Sequence, residues 1–416
     1  MTPGSAESVA SSVFVITGNA WRRPAFAMFA VGWGANHFTA LLPIYRRVLE
    51  IPDTTLTAIF GIYLLGVAPA LLLGGPISDR YGRRPVVLLG VVLALGGSLV
   101  LITGTRNALG VPALYVGRLL TGLAAGAAFA AGSAWVKELS IEGGGARRAA
   151  ISLSAGFGMG PLVGGLLAQW GAAPMVLPYI VHLLLAAVAL ALVPGTVETV
   201  NDSAKRESLW RQLKVPSALA PRFRRVVVPM APWVFGAATI SFAVLPARAG
   251  QLSGLSVVFA GVVAAITLAM GIAVQPLARR IGYDDPARGA MAGLGAVALG
   301  CVIGAIAAAA ASPLLVLAAA AGLGAGYGFC LVSGLREAER LAAPGELAGL
   351  VAVYYVLAYL GFCGPYGLAL LAPVVGYPAG LLIAAGLASA TLIWIATQVR
   401  QDSKAVPAAT PAIPGR

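Results

Sequence analysis

Twelve apolar stretches of about twenty residues or more follow one another from Pro24 almost to Val399, each stopped by a charged or Gly/Pro-rich break. A water-soluble domain cannot hide so much apolar surface: 59% of the 416 residues are hydrophobic and 10% are charged. The runs do not alternate polar with apolar residues, as lumen-lining strands would, so bilayer-spanning helices are the backbone solution that satisfies every N–H and C=O. The pattern predicts an all-α membrane protein with spans at roughly 24–45, 55–76, 85–104, 112–136, 148–170, 174–194, 226–247, 254–276, 288–310, 313–335, 347–371 and 377–398, each end good to about four residues. Residues 1–20 lack the basic start and compact apolar core of a cleavable leader, so the first span reads as its own insertion signal.

The formal charge of +13 raises the question of a polyanion partner, and the positions of the basic residues answer it. With the N-terminus on the cytoplasmic side, the inner segments hold Arg22, Arg23, Arg80, Arg83, Arg84, Lys137, Arg147, Arg148, the central loop, Arg279, Arg280, Arg288, Arg336, Arg340, Arg400 and Lys404. The outer loops hold Arg46, Arg47, Arg106 and Arg248. This is the positive-inside bias, which places both termini in the cytoplasm and accounts for the charge without nucleic acid. Cys301, Cys330 and Cys363 fall in apolar runs without metal-ligand spacing and read as small packing residues. Abundant Ala, Gly and Val, with Arg favoured over Lys, fit a GC-rich bacterial genome.

One long polar interruption divides the spans six and six. The expected organisation is a tail at 1–20, a six-helix bundle at 21–195, a cytoplasmic loop at 196–225, a second six-helix bundle at 226–400 and a tail at 401–416. Within the loop, "KRESLWRQLKV" sets Leu209, Trp210 and Leu213 against Arg206, Arg211 and Lys214, which suits either a short helix on the inner leaflet or a partly ordered linker. The halves echo each other at a shift of 200 residues: Pro76, Arg80 and Gly82 recur as Pro276, Arg280 and Gly282, and Gly122 and Gly126 fall on Gly322 and Gly326. A parallel six-helix repeat of this kind is one architecture of secondary transporters.

The stretch "GPISDRYGRR" follows the second span. Gly75, Asp79, Arg80, Gly82, Arg83 and Arg84 fit G-x-x-x-D-R-x-G-R-R and resemble the loop between the second and third helices of the major facilitator superfamily. A plain topology anchor would explain the arginines but not the acid. The resemblance implies twelve helices in two six-helix bundles that rock about a midplane site. It also implies a latch in which Asp79 faces the N-terminus of the eleventh helix near Glu346 and Leu347, with Arg83 bridging to Glu138 at the inner end of the fourth.

On the fifth span, "GFGMGPLVGG" supplies Gly156, Gly160, Pro161, Gly164 and Gly165. These resemble the G-x-x-x-G-P-x-x-G-G motif of the drug:proton antiporter branches. Glycines four apart admit a neighbouring backbone, and a proline removes one helix hydrogen bond, so the segment can bend. Tight packing in a glycine-rich chain is the plain alternative.

The fourth span carries Arg118 on one face with Gly122 and Gly126, like the superfamily's fourth-helix arginine motif. A charge inside a span costs about 3 kcal/mol on insertion scales, so Arg118 should meet a cavity or a partner, or reach outward. The first span holds Trp33, Asn36 and His37 at a similar depth. No span core contains Asp or Glu, which departs from the usual proton-coupled exporter. His37 is then the interior proton candidate, or else a neutral hydrogen-bonding group. His182 reads as packing or interfacial. Trp233, Phe235 and Phe242, Tyr327, and Tyr354, Tyr355 and Tyr359 are candidates for an amphipathic pocket, with core packing as the commoner role of such aromatics.

No HExxH, GxSxG or Walker loop occurs, and His and Cys are too few for a metal centre, so catalysis, a cofactor and ATP-driven pumping are not expected. The resemblance implies a monomeric exporter of small amphipathic compounds in a bacterial inner membrane, working by rocker-switch alternating access and proton antiport. An organic-anion facilitator or symporter, drawing on Arg118 and the acid-free interior, is the first alternative. A non-transporting scaffold or receptor is the second.

Overall fold

The computed structural model describes residues 19–105, 110–140, 144–200, 214–250, 252 and 254–405, the last four by backbone alone. Ten helical runs carry one crossing each: Arg22–Val48, Asp53–Tyr81, Arg83–Gly104, Gly110–Glu138, Gly145–Trp170, Leu177–Gly195, Phe223–Arg248, Ser256–Ile281, Pro286–Ala310 and Pro313–Leu341. We number them spans 1 to 10. The next run, Leu347–Gln401, has 55 residues. At 1.5 Å per residue it would reach about 80 Å, far more than a hydrocarbon core of about 30 Å. Gly376 divides it, with φ 78° and ψ 160°, between Pro373 and Pro378. Spans 11 and 12 are the parts before and after Gly376, which completes the expected twelve. The "KRESLWRQLKV" helix lies mostly outside the described residues.

Several spans are interrupted, and the interruptions meet. Span 1 breaks at His37, between Arg22–Asn36 and Phe38–Val48, and span 2 breaks at Ile62. Span 7 contains π-helical turns at Phe223–Val227 and Ile240–Val244, and span 11 has a 3₁₀ turn at Leu360–Phe362. Such turns leave backbone groups free and recur at functional sites. Rings from these breaks pack on one another: Phe60 and Tyr63 of span 2 stack 5.1 and 5.3 Å from Phe362, and Phe242 meets Phe60 edge to face at 6.2 Å.

Glycines let the spans touch backbone to backbone. A Cβ at Gly122 or Gly126 would strike span 2 at the Tyr63 and Val67 carbonyls; one at Gly324 or Gly328 would strike span 8 at the Thr267 and Gly271 carbonyls. The repeat is therefore real in packing but offset from the shift of 200. Gly322 and Gly326 turn instead towards span 9, at Gly300 and Gly293. Cys301 and Cys330 pack in the core as expected, whereas Cys363 is exposed.

Asp79, Glu138 and Glu346 mark one end of the bundle, here the basic end. Asp53 and Arg248 mark the opposite, far end.

Candidate substrate cavity and its two closures

Between the halves lies a cavity of 740 Å³. Its wall includes Phe157, Phe235, Phe242, Tyr327, Tyr355, Tyr359 and Phe362, with Asn36, Ser154 and Gln275 as polar groups. Ala146 at the start of span 5, Arg279 and Tyr283 at the end of span 8, and Arg336 and Glu339 at the end of span 10 form its mouth. These are all basic-end positions, so the cavity opens there. Towards the far end it is stopped by Phe242 and Phe362 and the rings packed on them.

Beyond that aromatic plug sits a clasp that the sequence did not suggest. Asp53, the first residue of span 2, accepts Arg46 Nε at 2.5 Å from span 1, Arg248 from the end of span 7 and the Tyr377 hydroxyl at 2.8 Å from the start of span 12. Arg248 also lies over the Tyr377 ring, 3.7 Å from its centroid. Three helix ends from both halves thus share one carboxylate. The available signal was that Arg46 and Arg248, two exceptions to the positive-inside bias, fall at the same end as Asp53.

At the basic end the motif residues assemble within the first half. Arg83 pairs with Asp79, one turn back, donates to Glu138 Oε1 at 2.9 Å and to Ser78 Oγ at 2.6 Å. Gly82, with φ 106°, ends span 2 in a conformation that L residues rarely adopt. Its missing Cβ also makes room for Glu198, which accepts the backbone N–H of Arg83 and of Arg84, both at 2.9 Å, and so caps the N-terminus of span 3. Glu198 lies 115 residues away in sequence from Arg83, which is why no local pattern revealed it. Arg80 and Arg84 are exposed, and Gly75 has open space beside it.

With the cavity open at this end, Asp79 is partly exposed and its ion pair stays in its own half. At the start of span 11, Glu346 accepts the Ser217 N–H at 2.9 Å. Hydrogen bonds from Ser217 hold the Glu346 carboxyl below its ordinary range.

Asn36 lines the cavity and donates to the Phe157 carbonyl at 2.8 Å, and Tyr327, Tyr355 and Tyr359 line it too. Trp33, His37 and Arg118 do not. They are sealed within the first half, and Arg118, expected to face a cavity, an anionic ligand or the outer surface, is 0% exposed. It donates to the Ala35 carbonyl at 3.0 Å and the Phe60 carbonyl at 3.5 Å, each two residues before a helix break. The rings of Phe38 and Tyr63 lie 4.7 and 4.8 Å from its guanidinium carbon. Backbone dipoles and π faces, rather than a carboxylate, compensate this charge. Trp233 also falls outside the cavity: it lines a separate apolar groove of 260 Å³ between spans 7, 11 and 12 and donates to Thr391 Oγ1.

The span 5 glycines divide their work. Gly156, Gly160 and Gly164 face span 1 at Phe29, Trp33 and His37, while Gly165 and Pro161 meet Val257 and Gly261 of span 8 in the other half.

Residues 25–362 match the model of the Major Facilitator Superfamily. The chain belongs to that superfamily. As a superfamily member it is a multi-pass membrane transporter rather than an enzyme. It is similar to the multidrug resistance protein MdtL of Klebsiella pneumoniae (strain 342), 30% identical over 105 residues, and to MdtL of Salmonella dublin, 28% identical over 109 residues. These matches span 25–26% of this chain and 26–27% of those relatives. Among solved structures, a POT family transporter in complex with 5-aminolevulinic acid superposes with TM-score 0.72 at 14% identity, covering 94% of this chain and 97% of that one. The nucleoside transporter NupG superposes with TM-score 0.70 at 12% identity, covering 92% and 98%. At such identities the likeness is one of fold.

Proposed function

We propose that this superfamily member exports small amphipathic molecules from the bacterial cytoplasm by proton antiport, with the basic end cytoplasmic and both termini inside, and that it works as a monomer. The observation that carries the reading is the cavity: large enough for a drug-sized molecule, walled by aromatic rings, with few polar groups and open at the basic end. The positive-inside distribution supports the orientation, and the partial likeness to MdtL supports efflux.

Alternating access then has a part for each closure. The Asp53 clasp and the aromatic plug shut the outer side in this inward-facing conformer. In the outward-facing conformer the halves close at the basic end, and Asp79 leaves Arg83 to face the first turn of span 11. Arg118 lies outside the cavity, which withdraws the main support for an organic-anion carrier. The polar groups deep in the cavity, Asn36, Ser154 and Gln275, are uncharged and suit neutral or weakly charged substrates, while Arg279, Arg336 and Glu339 stand at the mouth.

Inside-out vesicles with an imposed pH gradient test the proposal, using tritiated chloramphenicol as a neutral probe and ethidium as a cationic one. Probe accumulation driven by an acid lumen is expected, strongest for the neutral compound. Indifference to the gradient would sink antiport, and preferential ethidium uptake would sink the substrate class. A scaffold would tolerate Asp79→Asn, whereas a gated carrier loses turnover at unchanged expression.

A further inference from the structure

The sealed interior of the first half contains the two histidines of the chain, side by side. His37 stands at the break of span 1 and His182 lies on span 6; both are 0% exposed, and their ring centroids are 5.5 Å apart. His37 Nδ1 lies 3.1 Å from the Trp33 carbonyl, which accepts only, so the proton of the neutral ring sits on Nδ1 and Nε2 carries a bare lone pair. His182 Nδ1 lies 2.6 Å from Ser98 Oγ of span 3. The Nε2 atoms of both rings are buried without a partner of hydrogen-bonding geometry. A buried polar atom wholly without a partner costs about 1–3 kcal/mol, a cost that nearby backbone carbonyls reduce here.

The surrounding backbone is shaped to admit the pair. A Cβ at Gly34 would run into the His182 ring, and one at Gly164 would press on His37. The Ala30 carbonyl lies beside His182 and the Gly34 carbonyl beside His37, acceptors ready for an N–H on either ring.

We propose that His37 and His182 together form the proton-binding site of the transport cycle, one proton shared between two imidazoles in place of the missing carboxylate; this rests on the antiport reading above. The proton adds to the lone pair of one Nε2, converting that ring to imidazolium, and leaves from the same atom. The facing groups are few. Span 1 presents Trp33 and Tyr45, span 3 Ser98, span 4 Arg118, and span 6 Tyr179, whose ring lies 4.7 Å from that of His37 and whose hydroxyl meets that of Tyr45 at 2.5 Å. Spans 5 and 8, which pack on span 1, bring glycines and apolar side chains. Arg118 is the charged group of this core. It repels a bound proton, so the site loads on the acid side of the membrane and empties readily on the other. Coupling to the cavity is direct: His37 adjoins Asn36, which lines the cavity at the same helix break.

With two histidines in the chain, ring-nitrogen NMR on [¹⁵N]histidine-labelled protein, purified without a histidine tag into nanodiscs, reads the site directly. His37→Gln or His182→Gln, whichever folds, assigns the signals. At pH 8 His37 should appear as the Nδ1–H form. On acidification one proton should enter per molecule, both rings should shift with a common midpoint, and losing one ring should weaken proton binding by the other at least tenfold. Independent titrations, or two rings neutral down to pH 4.5, would overturn the pair. In vesicles each glutamine variant should lose gradient-driven accumulation of chloramphenicol while retaining downhill flux. If the wild type couples to the gradient and both variants do too, this inference fails and antiport stands. A wild type that ignores the gradient removes the antiport reading and this inference with it.

Discussion

The two halves share a packing plan and differ in what they keep inside. Span 4 meets span 2 through Gly122 and Gly126, and span 10 meets span 8 through Gly324 and Gly328. Yet the first half seals Arg118, His37, His182 and the Tyr45–Tyr179 pair away from solvent. The second half buries short hydroxyl contacts, such as Ser241 to Thr267 at 2.7 Å, and turns seven aromatic rings to the cavity. Even the basic-end charge clusters come from non-equivalent positions. Arg83 joins Asp79 and Glu138 in one half; Arg222 joins Asp285 and Glu337 in the other. A glycine-set helix crossing is reused because it is geometry, whereas polar groups in a low-dielectric interior are costly and are kept where they serve a purpose.

The sharpest way to break this contrast is Arg118→Leu. Removing both bonds to the helix breaks should cost about 3 kcal/mol, read as a lower melting temperature in nanodiscs and a roughly hundredfold loss of turnover. Unchanged stability would mean that the sealed core is not organised around this side chain. Next in size, Asp53→Asn weakens a clasp whose ion pairs are a quarter exposed, which limits each to about 1 kcal/mol. The population open at the far end should rise roughly tenfold. An impermeant thiol reagent applied from the far side, acting on Phe242→Cys in a Cys363→Ser background, measures it; unchanged labelling would deny the clasp its gating role.

If the second half supplies the binding surface, Phe235→Ala and Tyr359→Ala, whose rings stack at 4.5 Å, should each raise KM about fivefold. The matching change at Phe38, which packs on Arg118, should lower stability and leave KM alone. The smallest effect is expected at Gly75→Ala. A methyl group there meets open space in this conformer, so the melting temperature should not move, and any lost turnover would place a close contact in the conformer shut at the basic end.

Where the structure agrees with the sequence, the reason is local. A bilayer demands long apolar helices, and their count and the break at Gly376 follow from composition, whereas the cluster Asp79–Arg83–Glu138 was implied by the family resemblance of the motif. Which side chains reach the cavity did not follow. Arg118, His37 and Trp33 share the depth of Asn36, but rotation about the helix axis and the break at His37 put Asn36 in the cavity and leave the other three in the core. Glu198 on the N-terminus of span 3, the Asp53 clasp and the pairing of His37 with His182 join residues far apart in the chain. The sequence by itself determined that the chain crosses a membrane twelve times and where the motif charges lie, because transfer into lipid acts on each segment separately. Tertiary structure alone decided which polar groups are sealed, which are wet and which meet, because that depends on how helices rotate and cross.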